Sequence, residues 1–240
     1  MNFTAIAAVF AFAAMPASAI TVDQIISRNM KARGGLTAIK SLRGQKIEGR
    51  ISMGDLEGPF RVEMSKPGKL REEIELKGKL IVRTLSGGQG WVFNPLRDMI
   101  EPALLDADDI RNMTNSADME GPLVDYKIKG NLVRFAGTVS VEGRDAYKLV
   151  VMERNGRVRS EYIDCESFLV VKWEGKLTEE GKEYNMESYF RDYRMVDGLA
   201  FAFLITSLTV ETDFKQRIVI DSVVLNPQSS AAIFGKPVLE

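Results

Sequence analysis

The sequence predicts an α+β fold in a single domain: an N-terminal helix, then a long antiparallel run of strands interrupted once by a second helix. Three observations carry this expectation. Apolar residues recur at helical spacing near the start of the chain, at Val22, Ile25, Ile26 and Met30. From Gly44 onward, turn dipeptides recur about every 8–12 residues, separated by β-branched and aromatic runs. No Pro/Ser-rich linker or block of like charge divides the 240 residues, so one domain is the better count.

The elements follow in order. Met1 to Ala19 carries no charged residue and ends in Ala17-Ser18-Ala19, the small-x-small pattern of a signal-peptidase site. The run is shorter than the roughly 20 apolar residues that span a bilayer. Residues 1–19 therefore read as a signal peptide cleaved after Ala19, with residues 20–240 as one exported, soluble domain. Thr21-Val22-Asp23-Gln24 has capping-box spacing for the first helix. Gly34-Gly35 ends that helix, and Leu36 to Leu42 suggests a further turn or two. The strands are then punctuated at Gly54-Asp55, Pro67-Gly68, Lys77-Gly78, Gly87-Gly88, Glu142-Gly143, Asn155-Gly156, Glu180-Gly181 and Asp197-Gly198. Between Pro102 and Met119 the pattern turns helical. Asp106 can cap it, and Ile110, Met113 and Ala117 share a face, with Leu104 and Leu105 just before. This segment is either a crossover helix on a sheet face or a movable lid.

Composition narrows the function. Lys+Arg number 32 and Asp+Glu 33, so no basic field draws the protein to nucleic acid. The absence of histidine removes Ser-His and Cys-His nucleophiles, a histidine base and His-ligated metal. A single cysteine, Cys165, excludes internal disulfides and suits an oxidising compartment. Gly87-Gly88-Gln89-Gly90 lacks the Lys-Ser/Thr of a phosphate cradle. Glu72, Glu73 and Glu75 read as a solvated strand, and Cys165, between two acids, reads as a turn residue. Arg154, Arg157 and Arg159 flank Asn155-Gly156 and are expected at an exposed hairpin tip, with contact to an anion the alternative. The expectation is a binding protein without cofactor or metal, not an enzyme.

Several strands are apolar on both faces. Leu149 and Val151 are backed by Val150 and Met152, and Phe201 and Phe203 by Ala200, Ala202 and Leu204. Two apolar faces need two covers, from helices, from barrel closure or from a ligand.

Lys66-Pro67-Gly68-Lys69-Leu70-Arg71, then Gly87-Gly88-Gln89-Gly90-Trp91-Val92-Phe93-Asn94-Pro95, then the helical segment, form an order that resembles the LolA/LolB-type lipoprotein carriers. The match is strongest over Lys66 to Asp118. The resemblance implies a half-open antiparallel β-barrel with helices over its mouth, and a periplasmic carrier of lipid or lipoprotein acyl chains. It also implies membrane-bound donor and acceptor proteins; the carrier is expected to be monomeric. Trp91, Phe93, Phe201 and Phe203 are the expected cavity wall, and Leu105, Ile110 and Met113 the expected lid. Lys66 occupies the position of the family's lid-tethering arginine, with compact donors in place of a planar fork. No cysteine follows the signal, which disfavours a lipid-anchored form. An envelope sensor or scaffold that contacts a protein partner is the alternative.

Overall fold

The computed structural model describes residues 20–179 and 181–238, so the expected signal peptide and Glu180 of the Glu180-Gly181 turn lie outside the described residues. Helix α1 (Val22–Ala32) begins on the expected box: Gln24 N–H donates to Thr21 Oγ1 at 3.2 Å and Thr21 N–H to Gln24 Oε1 at 3.0 Å. It ends in a left-handed glycine cap, with Gly34 N–H bonded to the Lys31 carbonyl and Gly35 N–H to that of Met30. A Cβ on Gly34 would stand 2.0 Å from the Gly198 carbonyl oxygen. Glycine there lets the helix end rest on a distant hairpin, where Ala200 N–H donates to the Arg33 carbonyl at 3.1 Å. Helix α2 (Leu36–Ser41) follows at once.

One meander comprises β1 (Gly44–Met53), β2 (Leu56–Ser65), β3 (Lys69–Leu76), β4 (Lys79–Ser86), β5 (Gln89–Phe93) and the two-residue β6 (Ala103–Leu104). Helices α3 (Ala107–Ser116) and α4 (Tyr126–Lys129) lead to a second. It comprises β7 (Leu132–Val141), β8 (Arg144–Met152), β9 (Val158–Asp164), β10 (Val170–Glu179), β11 (Lys182–Val196), β12 (Leu199–Thr209) and β13 (Phe214–Leu225). Every fully described turn dipeptide named above falls between consecutive strands. Strand β13 pairs antiparallel with β1, fusing both meanders into one 13-stranded sheet with β6 and β7 at its ends. Those ends do not pair with each other, so the barrel is half open, and α3 and α4 lie in the connection between them.

Both helical covers sit on the inner face. Ile25, Ile26 and Met30 of α1 bury against Leu149, Val151 and Ile163 of β8 and β9. Met113 of α3 and its C-cap Ala117 bury against Leu70 of β3 and Leu85 of β4. The second cover was not anticipated: the segment after β13 returns over the outer face of β2–β5. Arg71 Nη1 donates to the Ile233 carbonyl and Thr84 Oγ1 to the Gly235 carbonyl, both at 2.9 Å, and Phe234 is buried.

Candidate functional site

Inside the curl lies a cavity of about 320 Å³, at the lower end of the range for small-ligand pockets. One half of its wall is apolar: Ile47 of β1, Met64 of β2, Phe190 of β11, Phe201 and Ile205 of β12, and Ile220 of β13. The other half is polar: Asn29 of α1 and its C-cap Arg33, Arg159 and Glu161 of β9, Trp173 of β10 and Tyr193 of β11. Strand pairing explains the inward turn of these charges. Glu161 stands opposite Leu149 and Trp173, and Arg159 opposite Val151, on the face that α1 covers.

Burial governs the electrostatics of this half. It lowers the pKa of Arg33, against the opposing pull of Tyr193, Glu161, Asp118 and Glu120. Arg33 Nη1 donates to the Glu120 carbonyl at 2.9 Å. Burial also pushes the Tyr193 phenol well above its usual value, so it stays protonated and donates to the Val170 carbonyl at 2.7 Å. Arg159 and Glu161 form an ion pair. Asn29 Oδ1, Arg159 Nε and Glu161 Oε1 are buried with no hydrogen-bond partner among the described residues.

Helix α3 crosses the opening. Asp106 caps it, accepting from Asp109 N–H at 2.8 Å. Its underside is Ile110, Met113 and Ala117, with Leu105 just ahead, packed on Leu70 and Leu85. On its far side Asn112 Nδ2 donates to the Thr178 carbonyl at 2.7 Å, and Asp108 accepts from Gly181 N–H at 3.0 Å. The helix is thus held between the β3–β4 wall and the β10–β11 hairpin. Lys66 Nζ reaches Glu120 Oε1 at 2.6 Å and the Lys40 carbonyl at 3.3 Å. It therefore ties the segment just after α3 to α2.

The structure separates the four expected wall residues. Phe201 lines the cavity. Phe203, 6% exposed, lies beside it with Ile51, Phe60 and Ile220. Trp91 and Phe93 do not face the cavity. The β4–β5 register sets Trp91 opposite Thr84 and Phe93 opposite Val82, while Gly90 and Val92 share the α3 side with Leu85 and Arg83. Trp91 is on the outer face, under Lys236, whose Nζ stands 5.1 Å from its ring centroid. The expectation for the arginines is also corrected. Arg154 is exposed, but Arg157 and Arg159 turn inward, 6.0 and 5.3 Å from the Trp173 ring centroid. Sequence reasoning missed Arg33, Glu161 and Tyr193 altogether. Only Glu161 carried a signal, as a polar residue two positions from Ile163 on β9 and opposite Leu149; Arg33 caps a helix and Tyr193 is on β11, where no such period marks them.

No protein-family model and no curated protein matches this sequence. Among solved structures, the chain is similar to a DUF1329 family protein from Desulfovibrio piger (TM-score 0.56, 11% identity, covering 89% of this chain and 97% of that one). It is similar to a LolA superfamily protein from Nitrosomonas europaea (TM-score 0.56, 14% identity, 91% and 99% covered). It is also similar to a domain from Vibrio parahaemolyticus described as an outer membrane lipoprotein-sorting protein (TM-score 0.55, 8% identity, 88% and 94% covered). The fold is LolA-like.

Proposed function

We propose that the protein is an exported carrier that shelters an acyl chain of a lipid or lipoprotein in its half-open barrel during transfer through the periplasm, with no catalytic step. The observation that carries this reading is the cavity itself, apolar along Ile47, Phe190, Phe201, Ile205 and Ile220 and roofed by helices that pack without sealing it. Each buried CH₂ is worth ~0.8 kcal/mol, so a chain of about 14 carbons gains on the order of 11 kcal/mol on leaving water. A protein that covers even half of that length makes transfer through an aqueous space feasible. The LolA-like fold supports the reading but does not fix it, since one fold serves many tasks.

The test is native mass spectrometry of residues 20–240 recovered from the periplasm, paired with titration of a hydrophobic fluorescent probe. Co-purified lipid mass and saturable probe binding are expected, and Phe201→Glu, which puts a charge in the apolar wall, should abolish probe binding while circular dichroism stays unchanged. A ligand-free mass with no probe binding by the parent protein would falsify the carrier reading.

A further inference from the structure

Beside the cavity's polar end lies a larger cleft of about 650 Å³ between the end of α3 and the β8–β9 hairpin. Arg159 lines both spaces. Around it the cleft gathers Lys129, Arg154 and Arg157, against the carboxylates of Asp118 and Glu153. We infer that this junction is an anion site: Arg157 and Arg159, braced on Trp173, take the negatively charged headgroup of an amphiphile whose chain lies along the apolar wall. The inference rests on the carrier reading and narrows it to anionic amphiphiles, those ending in a carboxylate or phosphate.

Four features converge on it. Trp173 is held along its strand, because a Cβ on Gly175 would come within 2.9 Å of the indole ring. The ring therefore gives both guanidinium groups a fixed platform, an arrangement that favours arginine over lysine. Local acids leave cationic capacity unmatched. Lys129 pairs with Asp118 at 3.0 Å, but Arg157 reaches Glu153 only at 3.7 Å, and Arg154 makes no ion pair among the described residues. Arg159 spends one amino group on Glu161, while its Nε is buried without a partner, which costs free energy until an acceptor arrives. Burial and then the neighbouring Arg159 charge push the Arg157 pKa down, as expected of two like charges held together without a full counter-charge. Finally, Arg159 lines both spaces, together with Asp118, Gly121 and Pro122, which places an anion in the cleft next to a chain among Phe201 and Ile220.

The experiment uses delipidated residues 20–240 with a fluorescent fatty acid and its methyl ester, which share a chain and differ in charge. The acid should bind roughly 10- to 100-fold more tightly than the ester, the range set by hydrogen bonds to charged groups. Arg157→Gln/Arg159→Gln should erase that preference. Arg154→Gln, on the exposed turn where folding is not at risk, should lower it severalfold. Inorganic phosphate at millimolar concentration should compete with the acid and spare the ester. Equal affinities for acid and ester in the parent protein overturn the inference and leave the carrier reading standing. Binding of neither probe overturns both. Phosphate binding that neither probe displaces overturns the headgroup assignment.

Discussion

Replacing Lys66 with Met should loosen α3 and the turn after it while leaving the rest of the barrel intact. The ion pair to Glu120 is 2.6 Å long, and its side chains are only 29% and 18% exposed. It therefore exceeds the ~0–1 kcal/mol of a surface pair. It falls short of the ~3–5 kcal/mol lost when a buried charge is left alone, because Lys129 Nζ stays 3.9 Å from the same carboxylate. A loss of about 1–2 kcal/mol follows, which multiplies the opening equilibrium of residues 107–121 by roughly 5–30. Amide hydrogen exchange resolved by segment measures this directly, with α1 as the internal control. A double-mutant cycle with Glu120→Gln should return a coupling of about 1 kcal/mol. Unchanged exchange over 107–121, or equal acceleration in α1, refutes the idea that Lys66 restrains this segment.

Three further outcomes are expected. Trp91→Ala should leave probe affinity unchanged, because its ring is on the outer face beside Lys236; a loss comparable to that of Phe201→Glu contradicts the β4–β5 register. Gly34→Ala should cost about 2–4 kcal/mol by urea unfolding, since φ is +114° and the added methyl meets the Gly198 carbonyl; a cost near zero removes the close approach. Burial alone would raise the pKa of Asp164, but bonds from Ser167 N–H and Oγ and the charge of Arg144 outweigh it and hold the carboxyl below its ordinary value. A depressed folded pKa means the stabilisation is complete above the unfolded value of about 3.9 and is lost as pH falls through the lower, folded one. Asp164→Asn should therefore flatten the acid limb of a stability–pH curve, and an unaltered limb below about pH 4 removes Asp164 as its source.

The fold was legible because its signals are local. Thr21 and Gln24 cap α1 within one turn, Gly34 and Gly35 end it, and Asp106 starts α3, each through bonds spanning a few residues. Turn dipeptides mark the meander for the same reason. What stayed hidden is long-range. Nothing in the residues after Leu225 signals that their carbonyls will accept from Arg71 and Thr84, more than 100 positions earlier in the chain. The pairing of β13 with β1, which turns two meanders into one curled sheet, likewise leaves no mark within a window of sequence.

The candidate site was half legible, and the missing half has one physical cause. Alternation assigns residues to two faces of a strand but does not say which face the sheet will curl toward. Trp91 and Phe93 alternate just as Phe201 and Phe203 do, yet the first pair faces outward, with Lys236 over Trp91, and the second lies within the curl or beside its cavity. Conversely, Arg157, Arg159 and Glu161 alternate as an exposed strand would, and the two arginines read as an exposed hairpin tip. In an open sheet that reading holds, because charge is stable only on the wet face. A sheet that bends back over a cavity has wet space inside as well, so charge on the inner face is permitted where the cavity meets solvent. Leu149, Val151 and Ile163 of β8 and β9 close under α1, whereas Arg157 and Arg159 lie toward the open cleft. The polarity gradient along β9 therefore follows the path from sealed interior to entrance, and that gradient suits a ligand with one apolar and one charged end better than a uniformly greasy one.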